Sequence, residues 1–417
     1  MGTRSIAIIA FLLFPIPIQG LAQSNDLWRT IAIEAVLRHP AVQAAERTYR
    51  AERLKIGAHA APADPMVMAE WMNLPVGGAS MGMRETQYSV TENFPFPVRL
   101  AMAASRQAMA AEAARWTVEL RKRIAYRDAV RALLGLAFTD RVLEVGRERL
   151  AQYGMVESVV TARYGVGKAS QSEWARTKLM VAMARADLAM QEGDRGEWVA
   201  ALSRLAPGAL RVSNQVFRFE TLPAETVPSV EALADRAAAD FPELRMQQAM
   251  EGRMKAEKNL MGWEWAPDIS LRGTLTQSEA GSANASVGIG LSVPIWFAFR
   301  QAPNAAAAGA MLEAESARTR DARAMVREAV RMRHASFTGA NRALSVFLSS
   351  AAPQVAQMVE VALKEYQVDR IGFTELLEAL KSVSDTALEI ARARRVLGEQ
   401  AVEIRYFTGM RLLEALP

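Results

Sequence analysis

Two hydrophobic periodicities take turns along this chain. Ile269, Leu271, Gly273 and Leu275 alternate with Asp268, Ser270, Arg272, Thr274 and Thr276. Val287, Ile289, Leu291 and Val293 alternate in the same way with Ser286, Gly288, Gly290 and Ser292. A period of two predicts strands with one apolar and one polar face, and the Gly/Ser/Ala/Asn-rich stretch between the two runs predicts a hairpin. These strands are expected over about 268–277 and 286–296. An earlier pair is expected over about 66–74 and 84–94, where Thr86, Tyr88 and Val90 alternate with Glu85, Gln87, Ser89 and Thr91.

Elsewhere the period is helical. Proline is absent from Val98 to Ala206, and Ala, Arg, Glu, Leu and Met, all strong helix formers, dominate there. Long helices are predicted over about 98–206 and 300–408. Leu136, Leu143 and Leu150 fall seven apart, as do Leu376, Val383 and Ile390, which is coiled-coil spacing. A run from Val98 to Gly154 would be about 85 Å long at about 1.5 Å per residue, longer than ordinary globular helices.

The order of elements is written twice. His39-Pro40 aligns with Phe241-Pro242, Asp64-Pro65 with Ala266-Pro267, and Tyr164-Gly165-Val166 with Tyr366-Gln367-Val368, all at one offset of 202 residues. Three landmarks in one register argue for two similar halves, 23–220 and 221–417, made by duplication of a domain-sized unit. Each half would run short helix, two strands, then very long helices.

Residues 1–22 read as a secretory signal peptide: Arg4, an apolar run from Ile6 to Ile16, and small residues at Gly20 and Ala22 before a cut. No later stretch reaches about 18 consecutive apolar residues, so a transmembrane helix is not expected in the mature chain. An exported protein of this kind enters a membrane only as a closed β-barrel. The predicted strands are about as long as the 9–11 residues that cross a bilayer at a tilt. Four strands cannot close a membrane barrel, for which about eight is the minimum, so several chains must share it. Trp71, Tyr88, Trp296 and Phe297 near strand ends fit a membrane interface, and core packing would explain them as well.

Composition narrows the chemistry. The chain has 417 residues, 51% hydrophobic, with no Cys and three His, so disulfides, thiol nucleophiles and Cys-ligated metals are excluded and a His-based triad has little to draw on. With 50 Lys+Arg against 45 Asp+Glu the net charge is +5, which implies no nucleic acid. Gly78-Ala79-Ser80-Met81-Gly82 fits G-x-S-x-G but falls in a hairpin turn rather than a strand-to-helix elbow. Gly165-Val166-Gly167-Lys168 is not a phosphate loop: Ala169 follows the lysine and Ala162 stands where the first glycine is required. No enzyme and no cofactor is expected.

The leader, the duplicated unit opening with helix and x-Pro, the hairpins ending in Phe94-Pro95-Phe96-Pro97-Val98-Arg99 or Val293-Pro294-Ile295, and the Tyr-x-x-Gly-type helical tips together resemble the TolC-like outer-membrane factor family. The stretch from Asn73-Leu74-Pro75-Val76 through Phe94-Pro95-Phe96-Pro97 looks like its heavy-metal efflux branch. The resemblance implies a mainly α protein with a membrane β-barrel: a homotrimer that forms a 12-stranded barrel in outer-membrane lipid and a long α-helical tunnel through the periplasm. It also implies a passive exit duct for heavy-metal cations, working with a periplasmic adaptor (membrane fusion protein) and an inner-membrane pump of the RND type. A periplasmic coiled-coil adaptor or scaffold outside the membrane would share the long helices without bilayer-length amphipathic strands.

By the same resemblance the second-half tip lines the periplasmic entrance. Tyr366 and Arg370 would form a lock, Glu173 of the first-half tip its acidic partner, and Glu375 with Glu378 an acidic ring. These two glutamates are three apart and share a helical face. The family's tip glycine is Asp369 here, and the basic residue sits one place early. A solvated coiled-coil face would carry the same charges. Methionines crowd the first hairpin, and Met66, Met68 and Met72 share a strand face with Glu70. Thioethers are soft ligands for Cu(I) or Ag(I), and methionine is also ordinary apolar filler.

Overall fold

A computed structural model of the chain describes residues 21–73, 84–205, 228–368 and 370–409. The first 20 residues of the expected leader, Ser80 and Asp369 lie outside them. The element order is α1 (Leu21–Arg38), α2 (Pro40–Ala60), β1 (Met66–Met72), β2 (Glu85–Phe94), α3 (Pro97–Gly165) and α4 (Gln171–Leu205). It then repeats as α5 (Val230–Asp240), α6 (Pro242–Gly262), β3 (Ile269–Ser278), β4 (Ala283–Leu291), α7 (Gln301–Val346), α8 (Ala352–Gln367) and α9 (Phe373–Thr408). Pro40 and Pro242 each open a helix, at the position where a missing N–H costs nothing. A π-helical turn, Phe347–Ala351, joins α7 to α8 just before Pro353. The helical stretch Gln301–Tyr366 contains an 18-residue window of mean hydropathy 1.3, apolar enough by composition to cross a membrane, of which 17% is buried.

Two compact units result, and neither coincides with a sequence half. One comprises 44–120 and 242–324 and holds the sheet. Its strands are antiparallel in the order β1-β2-β3-β4, so β2 pairs with β3 across the two halves and β1 and β4 are the edges. The register places Val67 beside Val90, Tyr88 beside Leu275, and Leu271 beside Ile289, gathering the apolar side chains on one face. That face is open: Val287 is 85% exposed, Ile289 75% and Val67 75%. The opposite face carries Ser89, Thr91, Thr274, Thr276, Ser286, Gly288 and Gly290.

The strand ends differ from expectation at β4, which occupies 283–291 rather than 286–296. Gly281, at φ 85°, permits a tight turn after Ser278, and pairing begins at Ala283↔Gln277. Pro294 has no N–H to continue the ladder. Beyond β4, Trp296, Phe297 and Phe299 are all exposed, so they are not part of the core of their own chain. Arg99 Nη1 donates to Asp268 Oδ1 at 2.6 Å and Phe96 stacks on Trp263 at 5.9 Å, tying α3 to the foot of β3.

The other unit comprises 1–43, 121–241 and 325–417. Its core draws Trp28 and Ile31 from α1, Leu133, Leu134 and Leu136 from α3, Leu202 from α4, Leu233 from α5, Phe337 and Leu344 from α7, and Leu397 from α9. Helices approach closely through small residues. A Cβ on Gly398 would come within 2.8 Å of Leu134, and one on Gly135 within 2.6 Å of the Trp198 ring. The heptad positions face inward, with Leu136, Leu143, Leu376, Leu380 and Ile390 buried. The C-terminus of α9 is fully capped: Gly409, at φ 72°, donates to the Arg405 carbonyl, Arg123 to those of Tyr406 and Phe407, and Arg236 to that of Thr408.

Candidate functional site

Two helical turns, one from each half, meet within this second unit. The α3–α4 turn closes with Gly167 at φ 72°: its N–H bonds the Tyr164 carbonyl at 3.0 Å and that of Lys168 the Arg163 carbonyl at 2.8 Å, a Schellman motif. At the α8–α9 turn the Arg370 N–H bonds the Glu365 carbonyl at 2.9 Å, the equivalent of the Lys168 bond. The α4 helix then starts with a capping box. Ser170 Oγ accepts from the Glu173 N–H at 3.2 Å, and Glu173 Oε2 accepts from the Ser170 N–H at 2.9 Å. At α9 the equivalent Gly372 has no side chain, so only the return bond forms, from Gly372 N–H to Glu375 Oε2 at 3.0 Å.

The two turns share a small core of Val160, Phe373 and Leu377, edged by Trp174 and Tyr366. The Arg163 guanidinium lies over the Tyr366 ring, 5.4 Å from its centroid. Tyr164 stacks on Trp174 at 5.7 Å, and Lys178 Nζ sits 4.1 Å from the Trp174 centroid. Apolar Val166 and Val368 are exposed at the turns themselves.

The structure thus redistributes the expected roles within one chain. Tyr366 is half-buried in the tip core and its cationic neighbour is Arg163, not Arg370. The Arg370 side chain is exposed, and its guanidinium makes no hydrogen bond or ion pair among the described residues. Glu173 is turned back on its own helix start, and among the described residues no hydrogen bond or ion pair joins it to Tyr366 or Arg370. Glu375 does the same at its helix start, yet remains exposed together with Glu378. These two line an open groove of about 660 Å³ between α8 and α9 with Gln354, Met358 and Ser382. A third carboxylate, Glu365, joins them. It escaped the sequence reading because it sits on the preceding helix, in no fixed spacing with the pair. Trp174 and Arg163 were missed likewise, since their partners come from across a turn or from the other half. Among the described residues no His/Asp/Glu cluster is arranged to hold a metal ion. Met66, Met68 and Met72 lie on the polar face of β1, which they share with Glu70.

No family model and no curated protein matches the chain in sequence. Solved structures do match in fold. The outer membrane protein VceC of the bacterial pathogen Vibrio cholerae superposes with a TM-score of 0.77 at 14% identity, over 94% of this chain and 97% of that one. CusC, described as undergoing conformational changes with folding and transmembrane channel formation, gives 0.76 at 16% identity over 92% of each chain. The open state of the MtrE outer membrane channel of Neisseria gonorrhoeae gives 0.69 at 14% identity, over 92% of this chain and 88% of that one. The chain has the fold of the TolC-like outer-membrane factors.

Proposed function

We propose that this chain is the outer-membrane channel of a tripartite efflux pump, three copies of which form a passive exit duct. The observation that carries the reading is the inverted sheet: its apolar side chains face out and its hydroxyls and glycines face the other way. Each fully exposed Val, Ile or Leu forgoes about 1.5–3 kcal/mol of burial, so such a face requires an apolar solvent or a partner. Lipid covers a face of this width on every strand at once. The free edges of β1 and β4 require pairing as well, and joining β4 of one copy to β1 of the next satisfies both. Three copies give a 12-stranded barrel, with Trp296, Phe297 and Phe299 beyond the strand end at the level of lipid headgroups.

The helical unit would then extend into the periplasm, with the tips of α3–α4 and α8–α9 forming the entrance. Glu365, Glu375 and Glu378 from three chains make a ring that favours cations. Arg370, which makes no hydrogen bond or ion pair among the described residues, would reach toward a neighbouring copy, while Arg163 and Tyr366 hold the two tips of one chain together. Exposed Val166 and Val368 offer apolar contacts to a periplasmic adaptor, which would link the duct to an inner-membrane pump of the RND type. Heavy-metal cargo is supported by the resemblance of the Asn73–Pro97 stretch to that branch. The duct itself performs no chemistry.

Cell fractionation tests the reading. The mature protein should cofractionate with outer membrane and migrate as a heat-modifiable trimer in detergent extracts. Recovery as a water-soluble periplasmic monomer would refute it and favour the scaffold alternative. A deletion strain should become sensitive to specific metal cations; sensitivity confined to organic drugs would move the cargo assignment alone.

A further inference from the structure

The polar face of the sheet carries an unexpected chemistry on its first strand. Residues 66, 68, 70 and 72 of β1 point to one side. The register sets Met66 beside Thr91, Met68 beside Ser89, Glu70 beside Gln87 and Met72 beside Glu85. One strand further on, Arg272 and Thr274 occupy the rows of Met66 and Met68. A methionine serving as filler needs an apolar gap to fill. These neighbours are hydroxyl, amide or charged groups, and Met66 and Met68 remain 55% and 41% exposed. The apolar residues of β1 that the opposite face requires, Val67 and Trp71, are already there. Among the described residues of one chain, packing therefore gives no account of the thioethers.

Coordination does. Alternate residues of a strand stand about 6.8 Å apart, and three rotatable bonds per side chain let two thioether sulfurs converge on one ion. Thioethers are soft donors that select Cu(I), and Ag(I) by the same softness, over hard divalent cations. The chain has no Cys, so thioethers are its only soft sulfur. Glu70 supplies negative charge two residues on, and Glu85 stands beside Met72. The nearest cation on this face, Arg272, donates its Nε to Thr91 Oγ1 at 3.2 Å. Its repulsion scales with the charge of the approaching ion, so it weighs half as heavily on a monovalent ion as on a divalent one.

We propose that Met66 and Met68, with Glu70 supplying charge, form a binding site for a soft monovalent cation, Cu(I) or Ag(I), on the polar face of β1. That this face lines the channel interior rests on the duct reading above; the ligand set does not. In the duct such a site is a way station for soft cargo within the barrel.

The test uses the full mature protein in detergent, titrated with Ag(I) in chloride-free buffer and with Cu(I) against a chromophoric Cu(I) chelator under anaerobic conditions. The Met66→Leu/Met68→Leu variant, which keeps the side-chain volume, should lose about tenfold or more in affinity for both ions. Met155→Leu/Met183→Leu, removing two exposed helical methionines, should leave it unchanged. X-ray absorption of the silver-loaded wild type should report sulfur ligands, a reading that does not depend on any variant folding. Wild type that takes up neither ion, equal losses in the two variants, or ligation by oxygen alone would overturn the site. Trimer migration is followed in parallel. Sulfur-ligated silver on a chain that never forms trimers keeps the site and sinks the duct; a trimer without silver keeps the duct and sinks the site.

Discussion

Replacing Gly135 with Ala should destabilise this protein although alanine is the better helix former. Gly135 lies in α3, and a methyl group there would stand 2.6, 2.7 and 2.8 Å from Cδ2, Cε2 and Cε3 of Trp198 on α4. The indole has little freedom to retreat, because the Arg395 guanidinium also lies over it at 5.4 Å. Helix propensity favours the substitution by about 1 kcal/mol, and overpacking opposes it by about 1–3 kcal/mol, for a net loss of about 0–2 kcal/mol. The decisive quantity is the sign in a second background. With Trp198→Leu the obstruction is gone, and Gly135→Ala should then stabilise by about 0.5–1 kcal/mol. The coupling between the two sites should be about 1–3 kcal/mol. Thermal and guanidinium unfolding of the detergent-solubilised protein, followed by far-UV circular dichroism, measures all four corners of the cycle. An equal effect of Gly135→Ala with and without the indole would show that the helices are not in this contact.

Substitutions at three further positions probe the helix ends and one half-buried carboxylate. Arg123→Ala should lower stability by about 1.5–3 kcal/mol in the same unfolding assay, because the carbonyls of Tyr406 and Phe407 lose a charged donor. Glu375→Gln retains an acceptor for the Gly372 N–H and removes charge, so it should reduce cation preference in single-channel recordings with the melting temperature unchanged, whereas Glu375→Ala should lower both. Identical selectivity in Glu375→Gln would remove this residue from the ring. Burial pushes the Glu148 carboxyl above its ordinary range, with Glu144 adding to the effect against Arg141, and its buried Oε2 has no hydrogen-bond partner among the described residues. A raised folded-state pKa means that the ionised form is penalised in the fold. The penalty is absent below the unfolded pKa and complete above the folded one. Glu148→Gln should accordingly raise the melting temperature near about pH 7–8 and leave it unchanged near about pH 4; a pH-independent effect would rule the charge out.

What the sequence made legible followed from how local each signal is. The two hairpins were readable because alternation over a few residues is itself the strand signal, and the inward heptad leucines for the same reason. Alternation cannot say which face is covered, however, and the outward turn of Val67, Val287 and Ile289 emerged only with the structure. The start of β4 was hidden because Ala283, Asn284 and Ala285 carry no strong apolar contrast, although they complete the ladder to β3. At the tips, Ser170-Gln171-Ser172-Glu173 spells a capping box, and that local reading gives Glu173 a partner without recourse to the other half. Glu375 occupies the same place at α9, but Gly372 lacks the side chain that would complete the pattern. The Arg163–Tyr366 pair joins residues from different halves, and no spacing within either one encodes it.

The unclosed rims at β1 and β4 bear on how this protein comes into being. A lone polypeptide leaves those rims and its greasy exterior unsatisfied, so under the proposed duct reading acquiring a final shape and recruiting sister chains would be one and the same event. The amount of trimer recovered at high dilution should then climb as roughly the third power of polypeptide concentration, and the fractional yield as roughly its square. In the cell, any newly exported chain that fails to meet its sisters promptly becomes a substrate for chaperones and proteases.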